Sequence, residues 1–223
     1  MIYKIALDGP SGAGKSTLAK NIASALNIVY VDTGALYRSV GLYMQKNSIL
    51  PENTQGVIAA LPKVKLQMKF LDGTQHIYLC GEDVKDSIRT PEISMYASKV
   101  SAIPEVRTFL LNTQRDIAKT TSVIMDGRDI GTVIFPDADV KIFLTASLEA
   151  RARRRTEELA QKGINEPYEK VLAEMKERDS NDSTRKVAPA VAAKDAILLD
   201  NSDFSLEQTF QAALSIIKSR LAL

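Results

Sequence analysis

The chain holds one cysteine in 223 residues, Cys80. A lone thiol cannot close an intramolecular disulfide, which suits a reducing cytoplasm. No acid–base partner pattern surrounds it, so Cys80 is expected as a small buried hydrophobe rather than a nucleophile. Charge of one sign is lacking too: 29 basic against 27 acidic residues leave a formal net charge of +2. Such a balance implies no general polyanion partner, and nucleic-acid binding would have to come from local clustering. No stretch approaches the roughly 18 consecutive apolar residues of a membrane span. The N-terminal MIYKIALDG enters a strand-like run without the charged and apolar regions of a signal peptide. Internal repeats and low-complexity segments are missing as well. The expectation is a soluble cytoplasmic protein with no membrane and no nucleic acid among its partners. With 45% hydrophobic and 25% charged residues it can bury a real core, as one domain with an insertion or as two small ones.

What is present is alternation. Residues 2–7 read as a buried strand closed by Asp8-Gly9-Pro10, and IVYV (28–31), SVIM (122–125), VKIFLT (140–145) and AILL (196–199) read as further strands. Between them, Leu18, Ala19, Ile22, Ala23 and Leu26 recur at helical spacing, and Leu36, Val40 and Met44 repeat every fourth residue. Further helical patterns cover 105–118, 147–162, 168–178 and 205–221. Apolar strands alternating with helices predict an α/β fold, a mostly parallel sheet with helices on both faces. One segment breaks the rhythm. VKLQMKF (64–70) and HIYLC (76–80) are β-like and flank the hairpin signal Asp72-Gly73, so 63–88 is expected as a small antiparallel insertion. His76 falls in that hairpin, far in sequence from every motif, and is given a structural role.

Gly9-Pro10-Ser11-Gly12-Ala13-Gly14-Lys15-Ser16, followed by Thr17, fits G-x-x-x-x-G-K-[ST] at every defined position, with a strand before it and a helix after. Glycines let backbone N–H groups converge on phosphate oxygens, and the helix beginning near Lys15 points its positive end at the same anion. Lys15 reaches β- and γ-phosphates, and the Ser16 hydroxyl suits a Mg²⁺ ion. This is the P-loop of a nucleoside triphosphate site. A GTPase switch, a mechanical ATPase and a small-molecule kinase all use one. The guanine-reading Asn-Lys-x-Asp is missing, and a motor would need more chain for its coupling elements.

Asp32, Thr33 and Arg38 in VDTGALYR lie at the carboxyl edge of the sheet or in the first turns of the next helix, where open α/β sheets bind ligands. Thr33 is placed to cap that helix. Arg38 opposes the helix dipole there, which makes sense if it meets an anion. In SVIMDGRDIGTVIFPDADVKIFL, apolar residues run into Asp126, a Walker-B aspartate for Mg²⁺, and Arg128 and Asp129 follow at the strand end. A bland reading makes those two solvated loop charges, and beside a P-loop it gives way to candidates for a second substrate.

GPSGAGKST, DTGALYR, ASKVSAIPEVR, DGRDIGTVIFPDADVKIFL and KERDSNDSTRKVAP stand here in an order and spacing that resemble the bacterial cytidylate kinases. The similarity runs over essentially the whole chain, hairpin included, and DGRDIGTVIFP is far more particular than the P-loop. The resemblance implies a single P-loop nucleoside monophosphate kinase domain over 1–223. Residues 63–88 would lie on the acceptor side, and a helical lid would span about 153–165. It implies transfer of the γ-phosphate of ATP to CMP or dCMP with Mg²⁺, and a monomer is expected. Residue by residue, it implies that Gly9 through Thr17 hold ATP, that Ser16 and Asp126 hold Mg²⁺, and that Lys15, Arg128 and Arg178 serve catalysis. Ser98, Arg107 and Asp129 would meet cytosine, and Asp182 the ribose hydroxyls. Arg38, Arg128, Arg178 and Arg185 would meet the CMP phosphate, with Thr33 beside them where the family often has serine. Arginine forks suit phosphate, and a carboxylate accepts from the cytosine amino group.

Arg151 and Arg155 are four apart and share a helix face, with Arg154 beside Arg151 and Arg153 between them. A solvated face is the default for such a run. The resemblance implies instead lid arginines covering the transferring phosphoryl, without saying which. AKDAILLDNSD (193–203) would lie on the adenine side. A kinase of another small acceptor, such as AMP, UMP or shikimate, is the nearest enzymatic rival. A regulator that binds ATP without turnover is the rival from another class.

Overall fold

Short apolar runs become strands in the computed structural model, which describes residues 2–71, 73–85 and 87–223. In chain order these are β1 (Lys4–Asp8), β2 (Val29–Asp32), β3 (Leu66–Leu71), β4 (Thr74–Leu79), β5 (Glu82–Asp83), β6 (Val123–Gly127), β7 (Val140–Thr145) and β8 (Ile197–Asp200). Five of them form one sheet in the order β2-β6-β1-β7-β8, with every pairing parallel. The helices are α1 (Lys15–Leu26), α2 (Thr33–Lys46), α3 (Thr54–Ala60), α4 (Pro91–Val100), α5 (Pro104–Asp116), α6 (Leu148–Gln161), α7 (Tyr168–Thr184) and α8 (Leu206–Leu221).

Central β1 buries Ile5, Ala6 and Leu7 completely, as a strand covered on both faces must. Leu18 and Ile22 of α1 and Ala213 and Ile217 of α8 pack with Ile5, Leu7 and Ile142 in one apolar cluster. Ala6, Val31, Met125, Ile130 and Phe135 build another. A third cluster joins α2 and α4 through Leu36, Val40, Ile93 and Val100, and takes in Ile77 and Leu79 of β4. The pair α6–α7 has a small core of its own, Ala152, Leu159, Val171 and Met175.

The antiparallel sheet β3-β4-β5 is the small second sheet expected within 63–88. Of the Asp72-Gly73 turn signal, Asp72 lies outside the described residues. The next turn runs through Cys80 and Gly81, both at positive φ (50° and 92°), the backbone that a tight two-residue hairpin requires. Cys80 is therefore exposed at a turn, contrary to the expected burial. His76 faces Asp83 across the same sheet, Nδ1 to Oδ2 2.6 Å.

Two local expectations are corrected, and two helices come without a sequence expectation. Asp32, not Thr33, caps α2, accepting from Ala35 N at 2.9 Å, because β2 runs one residue further than expected. Helix α7 continues to Thr184 instead of stopping near residue 178. Its last stretch, DSNDST, lacks strong helix formers, so the apolar period fades while Asp179 and Asp182 are held by arginines from outside the helix. Helices α3 and α4 went without a periodic signal; they start on the caps Asn53 and Thr90.

Candidate active site

The loop after β1 is shaped by what glycine lacks. At Gly9 (φ +146°) a Cβ would lie 1.9 Å from Leu144 O of β7. At Gly12 (φ +74°) it would lie 2.7 Å from the methyl carbon of Met175 on α7. The loop is thus clasped between the sheet and α7, and Gly14 delivers it to an α1 N-terminus that no side chain caps. Those amides and the dipole behind them face the loop's concavity. Lys15 is buried and folds back on Pro10, donating to its carbonyl at 2.6 Å. Burial, then Arg128, pushes its pKa well below the ordinary lysine value, with Asp126 and Asp8 opposing. Negative charge brought beside it would offset that penalty, and a phosphate is such a charge.

Asp126 ends the apolar run of β6. Its carboxylate accepts from Ser16 Oγ at 3.0 Å and from Tyr30 Oη at 2.8 Å. Burial and the charge of Asp32 raise its pKa, against the pull of Lys15 and the two hydroxyls. A divalent cation would remove that cost. Ser16 and Asp126 offer hard oxygens side by side, which fits Mg²⁺. Among the described residues no three acidic, histidine or cysteine side chains cluster, so the ion would share its coordination with phosphate oxygens and water rather than sit in a protein cage.

Guanidinium groups gather here from α2, from the turn after β6 and from α7 with its C-terminal end. Arg38 on α2 donates to Asp32 Oδ2 at 2.7 Å. Arg128, in the turn after β6, donates from Nε to Asp182 Oδ2 of α7 at 2.9 Å. Burial raises the Asp182 carboxyl, but Arg128 and Arg178 outweigh it and hold it below its ordinary value. Arg185, just past α7, has Nη2 3.8 Å from Asp129 Oδ1 and Nη1 3.7 Å from Asp182 Oδ1. Arg178 is lowered to about 10, by burial first and then by Arg128. Three nitrogens in this group, Arg38 Nε, Arg178 Nε and Arg185 Nη2, are buried with no acceptor among the described residues. Buried donors are almost always paired, so unpaired ones mark strain or a ligand.

Arg107 of α5 binds Asp129 in a buried ion pair and lies 5.4 Å from the centre of the Tyr37 ring. Ser98, half-buried on α4, joins them indirectly: its carbonyl accepts from Ser101 Oγ at 2.8 Å, and the Ser101 carbonyl accepts from Arg107 at 3.1 Å. Thr33 is buried with its hydroxyl donated to Asp126 O at 2.8 Å, so it lies beneath the site.

Several participants had no assigned role in the sequence reading. Asp8 accepts from Ile130 N and Gly131 N, each at 2.7 Å, and so fixes the turn bearing Arg128 and Asp129. Burial raises its carboxyl to about 6. Its place just before the glycine loop was the available signal. Arg151 is not on a solvated face. It is buried, with Nη1 3.0 Å from Ser11 O and 2.5 Å from Asp179 of α7. Arg154 donates to Asn201 and Ser202 carbonyls, and Asn201 in turn donates to Ala13 O of the loop at 3.1 Å. Arg155 pairs with Glu158, and Arg153 is exposed.

A family model described as cytidylate kinase matches residues 5–219. A cytidylate kinase of Caldicellulosiruptor bescii is 50% identical over 212 residues, covering 95% of this chain and 94% of its own length. One from Fervidobacterium nodosum is 50% identical over 220 residues, 99% of this chain and 98% of its own. One from Thermosipho melanesiensis is 47% identical over the full length of both. Among solved structures, an uncharacterized protein from Eubacterium ventriosum shares the fold at a TM-score of 0.52 and 14% identity, covering 99% of this chain and 98% of its own.

Proposed function

The chain belongs to the cytidylate kinase family, and we infer that its P-loop and arginine cluster bring ATP and CMP together in line. The protein is an ATP-dependent (d)CMP kinase: it transfers the γ-phosphate of ATP to CMP or dCMP, releasing ADP and CDP or dCDP.

In the proposed arrangement, Gly9 through Thr17 wrap the donor phosphates with backbone N–H groups, and Lys15 reaches their outer oxygens. Ser16 and Asp126 would hold Mg²⁺, which when bound neutralises charge on the triphosphate. Arg38, Arg128, Arg178 and Arg185 grip the acceptor phosphate. Asp129 accepts from the cytosine amino group, with Arg107 and Ser98 completing the polar edge. Asp182 takes the ribose hydroxyls. The acceptor phosphate attacks as an anion, so positioning and charge compensation do the catalysis without a strong general base. The observation that carries this reading is a set of buried cations with unsatisfied donors. Arg128 and Arg178 act on Lys15 of the loop, Arg185 reaches toward the Arg107–Asp129 pair, and Arg38 Nε, Arg178 Nε and Arg185 Nη2 have no hydrogen-bond acceptor among the described residues. The separate core of α6–α7 supports a helical lid over about 153–165 that excludes water during transfer. A monomer is proposed, and a lone cysteine suits the cytoplasm.

The test is kcat/KM for CMP, dCMP, UMP, AMP and GMP at saturating MgATP, in wild type and Asp129→Ala. CMP and dCMP should lead the purines by a wide margin. UMP sets a carbonyl against the Asp129 carboxylate, so the variant should lower CMP use about a hundredfold, about 2.7 kcal/mol of transition-state binding, and narrow the CMP/UMP gap. Equal use of AMP and CMP by the wild type overturns the cytidylate assignment. An unchanged CMP/UMP ratio in the variant overturns only the role of Asp129.

A further inference from the structure

Strand β2 is an edge of the parallel sheet, so backbone groups on its outer side have no strand to pair with. At its last residue that edge is filled by a side chain. Gln75, on β4, receives Asp32 N–H on Oε1 at 2.7 Å and returns a hydrogen bond from Nε2 to Asp32 O at 3.2 Å. A primary amide carries acceptor and donor in one planar fork, as a peptide group does, so it reproduces one rung of a strand ladder. Gln75 is itself steadied by Met68 of β3, Nε2 to Sδ 3.4 Å.

Asp32 is anchored through both its backbone and its side chain. The backbone is held by Gln75, while the carboxylate caps α2 with Oδ1 and binds Arg38 with Oδ2. Arg89, in the segment leading from the insertion to α4, has Nη2 3.8 Å from the same oxygen. Rotating Asp32 would therefore move Arg38, whose buried Nε has no acceptor among the described residues. We propose that Gln75 is a positioning residue for acceptor binding, through which the β3-β4-β5 insertion sets the aim of Arg38 by way of Asp32. The inference rests on the assignment of Arg38 to the acceptor phosphate.

The experiment compares wild type, Gln75→Met, Arg38→Ala and the double variant. It measures steady-state kinetics with CMP, ATP titration without CMP, and hydrogen exchange at residues 29–36. Gln75→Met keeps length and removes the fork. It should raise the KM for CMP about tenfold with kcat within about twofold, leave ATP affinity unchanged, and speed exchange at the Asp32 amide. Because Gln75 acts through Arg38, the double variant should lose no more CMP affinity than Arg38→Ala alone. Additive losses, or an unchanged KM with faster Asp32 exchange, overturn the proposal. An Arg38→Ala enzyme with normal KM for CMP overturns the assignment of Arg38 instead. Should Gln75→Met fail to fold, Gln75→Glu takes its place under the same readouts, since it keeps the acceptor oxygen but sets a carboxylate against the Asp32 carbonyl.

Discussion

Lys15 illustrates a side chain kept against the interest of the fold. Its amine is buried, Arg128 and Arg178 add like charge, and its one hydrogen-bond acceptor among the described residues is the Pro10 carbonyl. Replacing it with methionine keeps the alkyl stem and removes the buried charge. We expect Lys15→Met to melt at or above the wild-type temperature while its transfer rate falls by at least about a hundredfold, the loss typical of a preorganised transition-state contact. Differential scanning fluorimetry and a coupled ADP assay check both halves. A folded variant with near wild-type turnover would remove Lys15 from the mechanism. One that unfolds at much lower temperature would show that the lysine is a structural anchor of the loop. The same reasoning separates Lys15 from Lys141, which is also buried but donates to Asp195 and to Pro136 O and so needs no ligand.

Between elements, the site depends on clasps across the ends of strands. The turn from Asp129 to Phe135 is π-helical, closed by Ile134 N to Asp129 O at 3.2 Å and Phe135 N to Ile130 O at 2.6 Å, a form common at functional sites. Asp8 holds its start, and Arg115 its end, through the carbonyls of Val133 and Ile134. The Asp8 carboxyl moves from an ordinary 3.8 to about 6 in the fold, chiefly through burial. A raised acid binds its proton more tightly when folded, so its contribution favours the native state at low pH and is lost as pH rises through about 6. Relative to Asp8→Asn, which does not titrate, the wild type should thus gain about 2 to 3 kcal/mol of stability as pH falls from 7.5 to 4. Urea midpoints of the two proteins at each pH measure this, and a pH-independent difference would count against a raised Asp8 carboxyl. The P-loop was legible because strand, glycines and helix are contiguous, so local chemistry specifies all of it. Asp8 and Ile130 are 122 residues apart, and nothing near either names the other. Arg151 was misread for a related reason: spacing shows that arginines share a face but not that the face lies against Ser11 and Asp179. Gln75 carried no signal, because a glutamine in a strand pattern reads as a solvated position.

Across the whole molecule, the two substrate regions rest on different apolar clusters. The donor loop sits on the cluster of β1, α1, β7 and α8, and the proposed cytosine region on that of α2, α4 and the insertion. The α6–α7 pair has a third. Arg128–Asp182 joins α7 to the turn after β6 through an ion pair, and Arg151 of α6 joins the pair to the donor loop through the Ser11 carbonyl. Such polar junctions yield to small relative motions more readily than a continuous core does. Closure of these bodies around two anions would place the phosphates among Lys15, Arg128 and Arg178, whose mutual repulsion the anions relieve. A compound joining adenosine and cytidine through a run of phosphates should therefore engage both regions at once, its second half binding at a high effective concentration. At about a hundred times its Kd it would add about 2.7 kcal/mol of stability, raising the melting temperature by about 5–10 °C for a chain of this size. The shift should exceed the sum of those given by ATP and CMP at the same concentration, and should shrink in Arg178→Ala. Thermal melts of wild type and variant with each ligand read this out directly. A shift no larger than that of ATP alone would mean that the donor loop and the arginine cluster do not lie within one phosphate chain's reach of each other.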